Sequence, residues 1–195
     1  MKLYSTKNRK AGAFTLIEMI GVLAVIAILA ALLIPKVFSA INDARVNNAC
    51  VSIQTIKTAV ADHYGKYGRL DASFGTNAVS MGTNYCSAVL MPEALIDKPF
   101  SVKIGDPSSP STVIQIVNGG GTVGSSGAYS LDGSGNLSTP SGTMVVEAVI
   151  SSVAAQDAQD LDTRIDGTAL GSNTGRVQYS TNAFPTTVYV YITHR

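Results

Sequence analysis

The sequence predicts an α+β protein in which a long N-terminal helical spine, one half membrane-spanning and the other amphipathic, packs on a C-terminal antiparallel β-sheet. Three observations predict it. Phe14 to Ile34 is an apolar run with a single charge, Glu18. From Val37 to Tyr67 apolar residues recur mostly at spacings of three and four, as one face of a helix requires. From Thr112 onward, β-branched and aromatic segments are separated by Gly, Ser, Asn and Pro, the pattern of antiparallel strands joined by turns. Of the 195 residues, 46% are hydrophobic and the mean hydropathy is +0.23, high for a chain wholly in water. The N-terminal run carries that excess.

Lys2, Lys7, Arg9 and Lys10 all precede the run. Lys and Arg resist translocation, so this order keeps the N-terminus in the cytoplasm and sends the C-terminus out. At ~1.5 Å per residue the 21 residues from Phe14 to Ile34 make a helix of roughly 30 Å, enough to span the hydrocarbon core. A secretory signal carries its small cleavage residues beyond the apolar region, whereas Ala11-Gly12-Ala13 lies before it. A cut there removes a basic leader, residues 1–13, and leaves the hydrophobic helix on the product. The chain has 14 basic and 13 acidic residues, net +1; without the four leader cations, ten basic residues face 13 acidic ones, net −3. That balance gives no case for specific nucleic-acid binding.

Glu18 resists a plain anchor reading. A carboxylate at bilayer depth costs on the order of 2 to 3 kcal/mol or more and calls for a partner or a function. Cleavage before Phe14 exposes an amine about one helical turn from Glu18, able to pair with it within one chain or between two chains side by side. Gly12-Ala13-Phe14-Thr15-Leu16-Ile17-Glu18, followed by uncharged residues and then Pro35-Lys36, resembles the prepilin signature of type IV pilins and of type II secretion pseudopilins. The resemblance implies cleavage between Ala13 and Phe14 by a prepilin peptidase, N-methylation of Phe14, and docking of subunits into a filament through Glu18. Pro35 matches that family's proline within the long helix, where it removes one backbone bond and bends the axis. Ala13 stands where the family usually has glycine, with Gly12 one place early. The partners implied are further copies of the chain, the peptidase and N-methyltransferase, an inner-membrane assembly platform, and the membrane itself before assembly. The implied location is the bacterial inner membrane, as a single pass with the C-terminus outside the cytoplasm, and then an extracellular pilus or a periplasmic pseudopilus.

Residues 14–35 are therefore the transmembrane and filament-core helix, and residues 36–67 the amphipathic half of the spine. Joined, they run about 50 residues, or roughly 75 to 80 Å, before Gly65 and Gly68 interrupt them. Small residues Gly21, Ala24, Ala27, Ala30 and Ala31 permit close helix approach, with Ala27 and Ala31 a small-xxx-small pair; helix formers in a lipid-facing anchor are the alternative reading of the same alanines. Residues 68–195 are the globular head, a pilin fold by the resemblance. Its loop, 68–111, is punctuated by Gly and Pro, with a helical turn at Val89 to Ile96. Strands are expected at Thr112–Val117, Gly127–Leu131, Thr143–Ile150, Arg176–Ser180 and Thr186–Thr193, all within 112–195. A second helix is expected over about 152–166, where Ala154, Ala158, Leu161 and Ile165 share a face. That helix between strands is similar to the larger type IVb pilins, while the short leader and Phe14 are similar to type IVa pilins or pseudopilins.

The head offers little chemistry. Cys50 on the spine and Cys86 in the loop both face an oxidising compartment under this topology. A Cys50–Cys86 disulfide would close about 37 residues, worth roughly 3 to 4 kcal/mol less any strain; free thiols or an intermolecular bridge are the alternatives. Gly119 to Gly124 satisfies G-x-G-x-x-G but leads into a strand, so no helix N-terminus is there to hold a phosphate. Asp132 to Asn136 opens like a calcium loop but lacks its turn glycine and its bidentate acid. Asp157, Asp160, Asp162 and Asp166 could supply oxygen ligands to Ca²⁺, against the simpler reading of a solvated helix face; no other cofactor is expected. His63 and His194 have no sequence-local nucleophile and acid, so no hydrolytic triad can be argued. The expected function is that of a structural filament subunit, a substrate of enzymes and not an enzyme. The alternatives are a type II secretion pseudopilin and a membrane-anchored binding module that never polymerises.

Overall fold

The computed structural model describes residues 14–71, 79–105, 112–167, 173–182 and 185–195. The chain divides into two compact units, Met1–Ile41 and Asn42–Arg195. The elements in order are α1 (Leu16–Tyr67), a single π-helical turn (Cys86–Leu90), β1 (Val113–Asn118), β2 (Met144–Val153), α2 (Ala155–Ile165), β3 (Val177–Tyr179) and β4 (Thr186–His194).

α1 is one helix of 52 residues that continues through Pro35. In the second unit its apolar stripe is Val46, Ala49, Ile53, Ile56 and Val60, all buried and spaced by three or four, the repeat of one helix face. Its polar side satisfies itself: the Ser52, Thr55 and Thr58 hydroxyls each donate to the carbonyl four residues back. The stripe packs on a four-stranded antiparallel sheet of order β1-β2-β4-β3. Ile114 and Ile116 of β1, Val146, Ala148 and Ile150 of β2, and Val188, Val190 and Ile192 of β4 join the same core. In β4 burial alternates residue by residue, the period-2 signature of a strand with one face on a core. Ile56, Val60 and their sheet partners are each worth about 1.5 to 3 kcal/mol of burial, which makes this layer the main stabilising contact of the head.

β2 differs, because nearly all of it is buried. Its second face is covered by a layer from residues 119–143. Tyr129 in that layer is fully buried and sets its ring edge-on to Tyr191, with centroids 5.4 Å apart. Beneath it lies Glu147 of β2, a carboxylate with no solvent exposure. Four donors reach it: the Tyr129 hydroxyl at 2.7 Å, the Gln115 side-chain amide at 2.7 Å, the Gly127 N–H at 2.9 Å, and the Ser126 hydroxyl. Burial, followed by the Glu147 charge, pushes the Tyr129 phenol well above its ordinary range. A buried charge persists only when its oxygens are all engaged, and here they are.

The strand expected at Gly127–Leu131 does not form. The backbone N–H groups of Tyr129 and Leu131 are taken by the side-chain oxygens of Thr139 and Ser138, at 2.9 Å and 3.0 Å, and not by a strand ladder. Gly127, at φ +76°, passes so close to the Asn118 carbonyl that a β-carbon would collide with it. The other four strands form within a few residues of expectation. The helical turn expected at Val89–Ile96 begins earlier, at Cys86, and α2 is shorter than expected because β2 extends to Val153. The sheet's edges are short or covered. Asn84 bridges β1 at Gln115, the Gly82 N–H donates to the Ile116 carbonyl at 2.8 Å, and β3 at the opposite edge has three residues.

Replacing Glu147 by Ala leaves those donors buried without an acceptor. The substitution is expected to lower the unfolding free energy of the full chain in detergent by at least about 3 kcal/mol, read from urea titration followed by circular dichroism.

Candidate functional site

The most distinctive chemistry lies at the start of α1. Thr15 immediately precedes the helix and Glu18 is its third residue, the S/T-x-x-E spacing of a capping box. The Thr15 N–H and hydroxyl donate to Glu18 Oε2 at 2.8 Å and 2.7 Å, and the Glu18 N–H donates back to Thr15 Oγ1 at 3.3 Å. Two backbone donors that a helix start leaves orphaned are thereby satisfied within the chain. Both carboxylate bonds fall on Oε2, and among the described residues Oε1 accepts none. Phe14, which would carry the new amine, precedes Thr15 and is 80% exposed. The leader and Ala13 lie outside the described residues. Thr15 has no role of its own in the sequence expectations, although its spacing to Glu18 ahead of an apolar run is the signal that could have found one.

Behind the cap, every residue from Phe14 to Ile34 except Ala30 is exposed. Leu16, Ile17 and Leu32 show 77%, 73% and 68% of their surface. A soluble monomer rarely leaves more than a few hundred Å² of contiguous apolar surface uncovered, so this helix needs lipid or protein around it. α1 is long and apolar enough to cross a membrane. Along it, Gly21 has no atom within 4 Å of where a β-carbon would sit.

The four aspartates near α2 do not converge. Asp166 turns inward, its Oδ2 accepting the Arg176 and Val177 N–H groups at 2.6 Å and 2.7 Å. Asp162 is buried, with the Tyr179 hydroxyl 3.5 Å from Oδ2 and no partner for Oδ1. Burial, helped by the nearby Asp166 charge, raises its carboxyl to about 6. Asp157 and Asp160 remain half-exposed. Among the described residues no three His, Cys, Asp or Glu side chains gather as a cation site. Asp132, at the loop that opens like a calcium site, spends Oδ1 on Ser130 and on the Ser134 hydroxyl and N–H.

Cys50 and Cys86, the pair expected from sequence to bridge, are both free thiols in this structure. Cys86 sits fully buried where the π-helical turn begins and Cys50 packs half-buried against the same core. Burial pushes the Cys86 thiol up to about 11, with the Phe100 backbone opposing, and raises Cys50 as well. His63, fully buried on α1, is held by Glu93 through Nδ1 at 2.8 Å, against the rings of Tyr67 and Tyr85. This pair ties the helix to the segment after the π-helical turn. His194 is bonded through Nδ1 to the Tyr191 hydroxyl at 2.7 Å.

Residues 8–34 match the prokaryotic N-terminal methylation motif, the signature of type IV pilin and pseudopilin precursors. No curated protein and no solved structure matches the chain. The match lies upstream of Asn42, where the second compact unit begins.

The Asp162 proton supplies a test of the head's electrostatics. The folded chain holds it to about pH 6, whereas the unfolded chain releases it near 3.8. Between those values the folded state binds more protons, so stability falls as pH rises through the window and the penalty is complete above it. Asp162→Asn is expected to flatten that slope and to stabilise the head at pH 7 by on the order of 1 to 3 kcal/mol, measured by thermal unfolding at pH 4, 5, 6 and 7.

Proposed function

We propose that this chain is a structural subunit of a type IV pilus-like filament, cut between Ala13 and Phe14, N-methylated at Phe14 and polymerised through α1. One observation carries the reading. The methylation motif over residues 8–34 coincides with an exposed apolar stretch, Phe14–Ile34, whose single charge, Glu18, stands in the first turn of α1.

The physical sequence runs from lipid to polymer. In the membrane, the Thr15–Glu18 box supplies donors to a carboxylate that would otherwise be buried alone, which lowers the cost of carrying it at depth. Moving the helix from lipid to a bundle of its own copies brings no hydrophobic gain, since lipid tails are equally apolar; packing and polar pairing must drive it. Gly21, Ala24, Ala27 and Ala31 leave room for a second helix. The open Oε1 of Glu18 then takes the Phe14 amine of a neighbouring copy, which neutralises both charges and sets the axial register between them. Pro35 closes the apolar run. On the outer side of the membrane, a disulfide-exchange oxidant joins Cys50 and Cys86, whose side chains share the head's core: the two thiols lose two protons and two electrons, and the oxidant's own disulfide is reduced to two thiols.

Mass spectrometry of the N-terminus tests the processing step. A chain beginning at methylated Phe14 is expected; an intact leader, or release after Ile34, overturns the reading. Glu18→Ala is expected to leave membrane insertion intact and to reduce filament recovery by tenfold or more, on the order of the 1 to 2 kcal/mol per pair that intramembrane polar contacts provide. Normal filaments from that variant would remove Glu18 from assembly. Electron microscopy separates long surface pili from the short periplasmic fibre of a secretion pseudopilin. Peptide mapping without reductant is expected to recover Cys50 and Cys86 in one linked pair from exported protein, and in the reduced, folded chain iodoacetamide at pH 8 is expected to modify Cys50 well before Cys86.

A further inference from the structure

We propose that copies in the filament lock their heads by charge, with Asp157 and Asp160 on α2 of one copy docking on Lys57, Arg176 and Arg195 of another further along the axis. The proposal rests on the polymer reading above and adds the contact between heads that it leaves open.

The cationic set is built from three elements. Lys57 lies on α1, Arg176 immediately precedes β3, and Arg195 follows β4. Lys57 and Arg195 border a recess of 330 Å³ floored by Val60, Ala61, Tyr64 and Leu70. The Arg195 guanidinium stands over the Tyr64 ring, 4.9 Å from its centroid, and Arg176 lies near enough to Lys57 to repel it. None of the three makes an ion pair, since the pairs among the described residues are His63–Glu93, Arg69–Asp71 and Arg164–Asp43. Arg176 also acts at longer range on Asp166, whose Oδ2 is occupied by backbone N–H groups.

The acidic set likewise lacks ion pairs, with Arg45 the cation that acts on Asp157. Asp157 and Asp160 stand three residues apart on α2, which places them on one face. Among the described residues neither makes an ion pair, and Asp160 accepts only from the neutral side chain of Gln156, at 2.9 Å. Each set works against itself in an isolated copy. Burial and then the Arg176 charge lower the Lys57 ammonium, while burial and then the Asp160 charge raise the Asp157 carboxyl, eased by Arg45. A surface of opposite sign relieves both.

Lys57 and the two aspartates also lie at different heights along α1. α2 is tied to the early part of the head's helix, with Arg164 bonded to Asp43 at 2.9 Å and Arg45 close enough to act on Asp157. Lys57 comes 12 residues after Arg45, about 18 Å further along the axis. The Phe14–Glu18 pairing offsets its two copies by four residues, about 6 Å, so with parallel axes it is the copy about three such steps along, and not the adjacent one, that brings its aspartates level with these cations. Such a contact is head-to-tail. It uses a different patch on each partner, so it repeats without closing, as a filament requires.

Zero-length carbodiimide coupling of wild-type filaments is the direct test, because it joins a carboxylate to an amine only when the two are in contact. An inter-chain isopeptide between Lys57 and Asp157 or Asp160, found by peptide mass spectrometry, is the expected product. Lys57→Glu and Asp160→Lys are each expected to cut filament recovery about tenfold, and the two together in one chain to restore it. That restoration also shows that the single variants fold. Filaments that form normally yet yield no such crosslink, or that tolerate either reversal alone, overturn the docking and leave the polymer reading standing. Absence of any filament from the wild-type chain overturns the polymer reading and this contact with it.

Discussion

α1 must meet two demands along one continuous backbone. Phe14 to Ile34 is apolar all round apart from Thr15 and Glu18, and wherever lipid or packed copies surround it every backbone group has to be satisfied inside the helix or at its end. The helix handles its interior automatically and its first turn through Thr15 and Glu18, which exchange bonds across the cap. Past Asn42 the demand reverses, and the same helix must show one face to a core and the other to water. The switch from an apolar surface all round to a stripe at Val46, Ala49, Ile53, Ile56 and Val60 is the sequence's answer.

Within the head, the sheet is the central slab and β2 its most protected strand. The inner face meets α1 through aliphatic side chains, where shape matters more than direction. The outer face is organised around a polar centre. Glu147 collects Gln115, Ser126, Gly127 and Tyr129, so residues 119–143 are held in one position by directional bonds. His63 and Glu93 act similarly on the other side, fixing the segment that follows Leu90 against α1.

Much of this was readable from residue spacing. α1 shows in the sequence because its periodicity holds over many turns, and the final strand shows because Thr186 to Thr193 is almost entirely β-branched or aromatic. Gly127–Leu131 misled for an instructive reason: its composition suits a strand, but its N–H groups found Thr139 and Ser138 first, and no local pattern encodes a partner several residues away. Glu147 was silent too. A glutamate within a valine-rich strand ordinarily marks a solvent-facing position, and only the arrival of Tyr129 over it buries the charge. The aspartates of α2 were visible as a group but not as two kinds, because which of them turn inward depends on how α2 docks beside β3. At the helix start the acid stood out and its threonine did not, since a hydroxyl beside an apolar run carries little signal until the third residue of the helix is counted.

The short and covered margins of the sheet acquire a further meaning once many heads are held close together. A polymer raises the local concentration of every exposed surface, and unpaired strand backbone is the surface most prone to zip onto its like. Here one margin is occupied by Asn84 and the Gly82 N–H, and the other ends after three residues. In the proposed filament, crowded copies would thus be denied a template for runaway cross-strand aggregation, and their association would be left to side chains, whose chemistry can be tuned without unravelling the slab beneath.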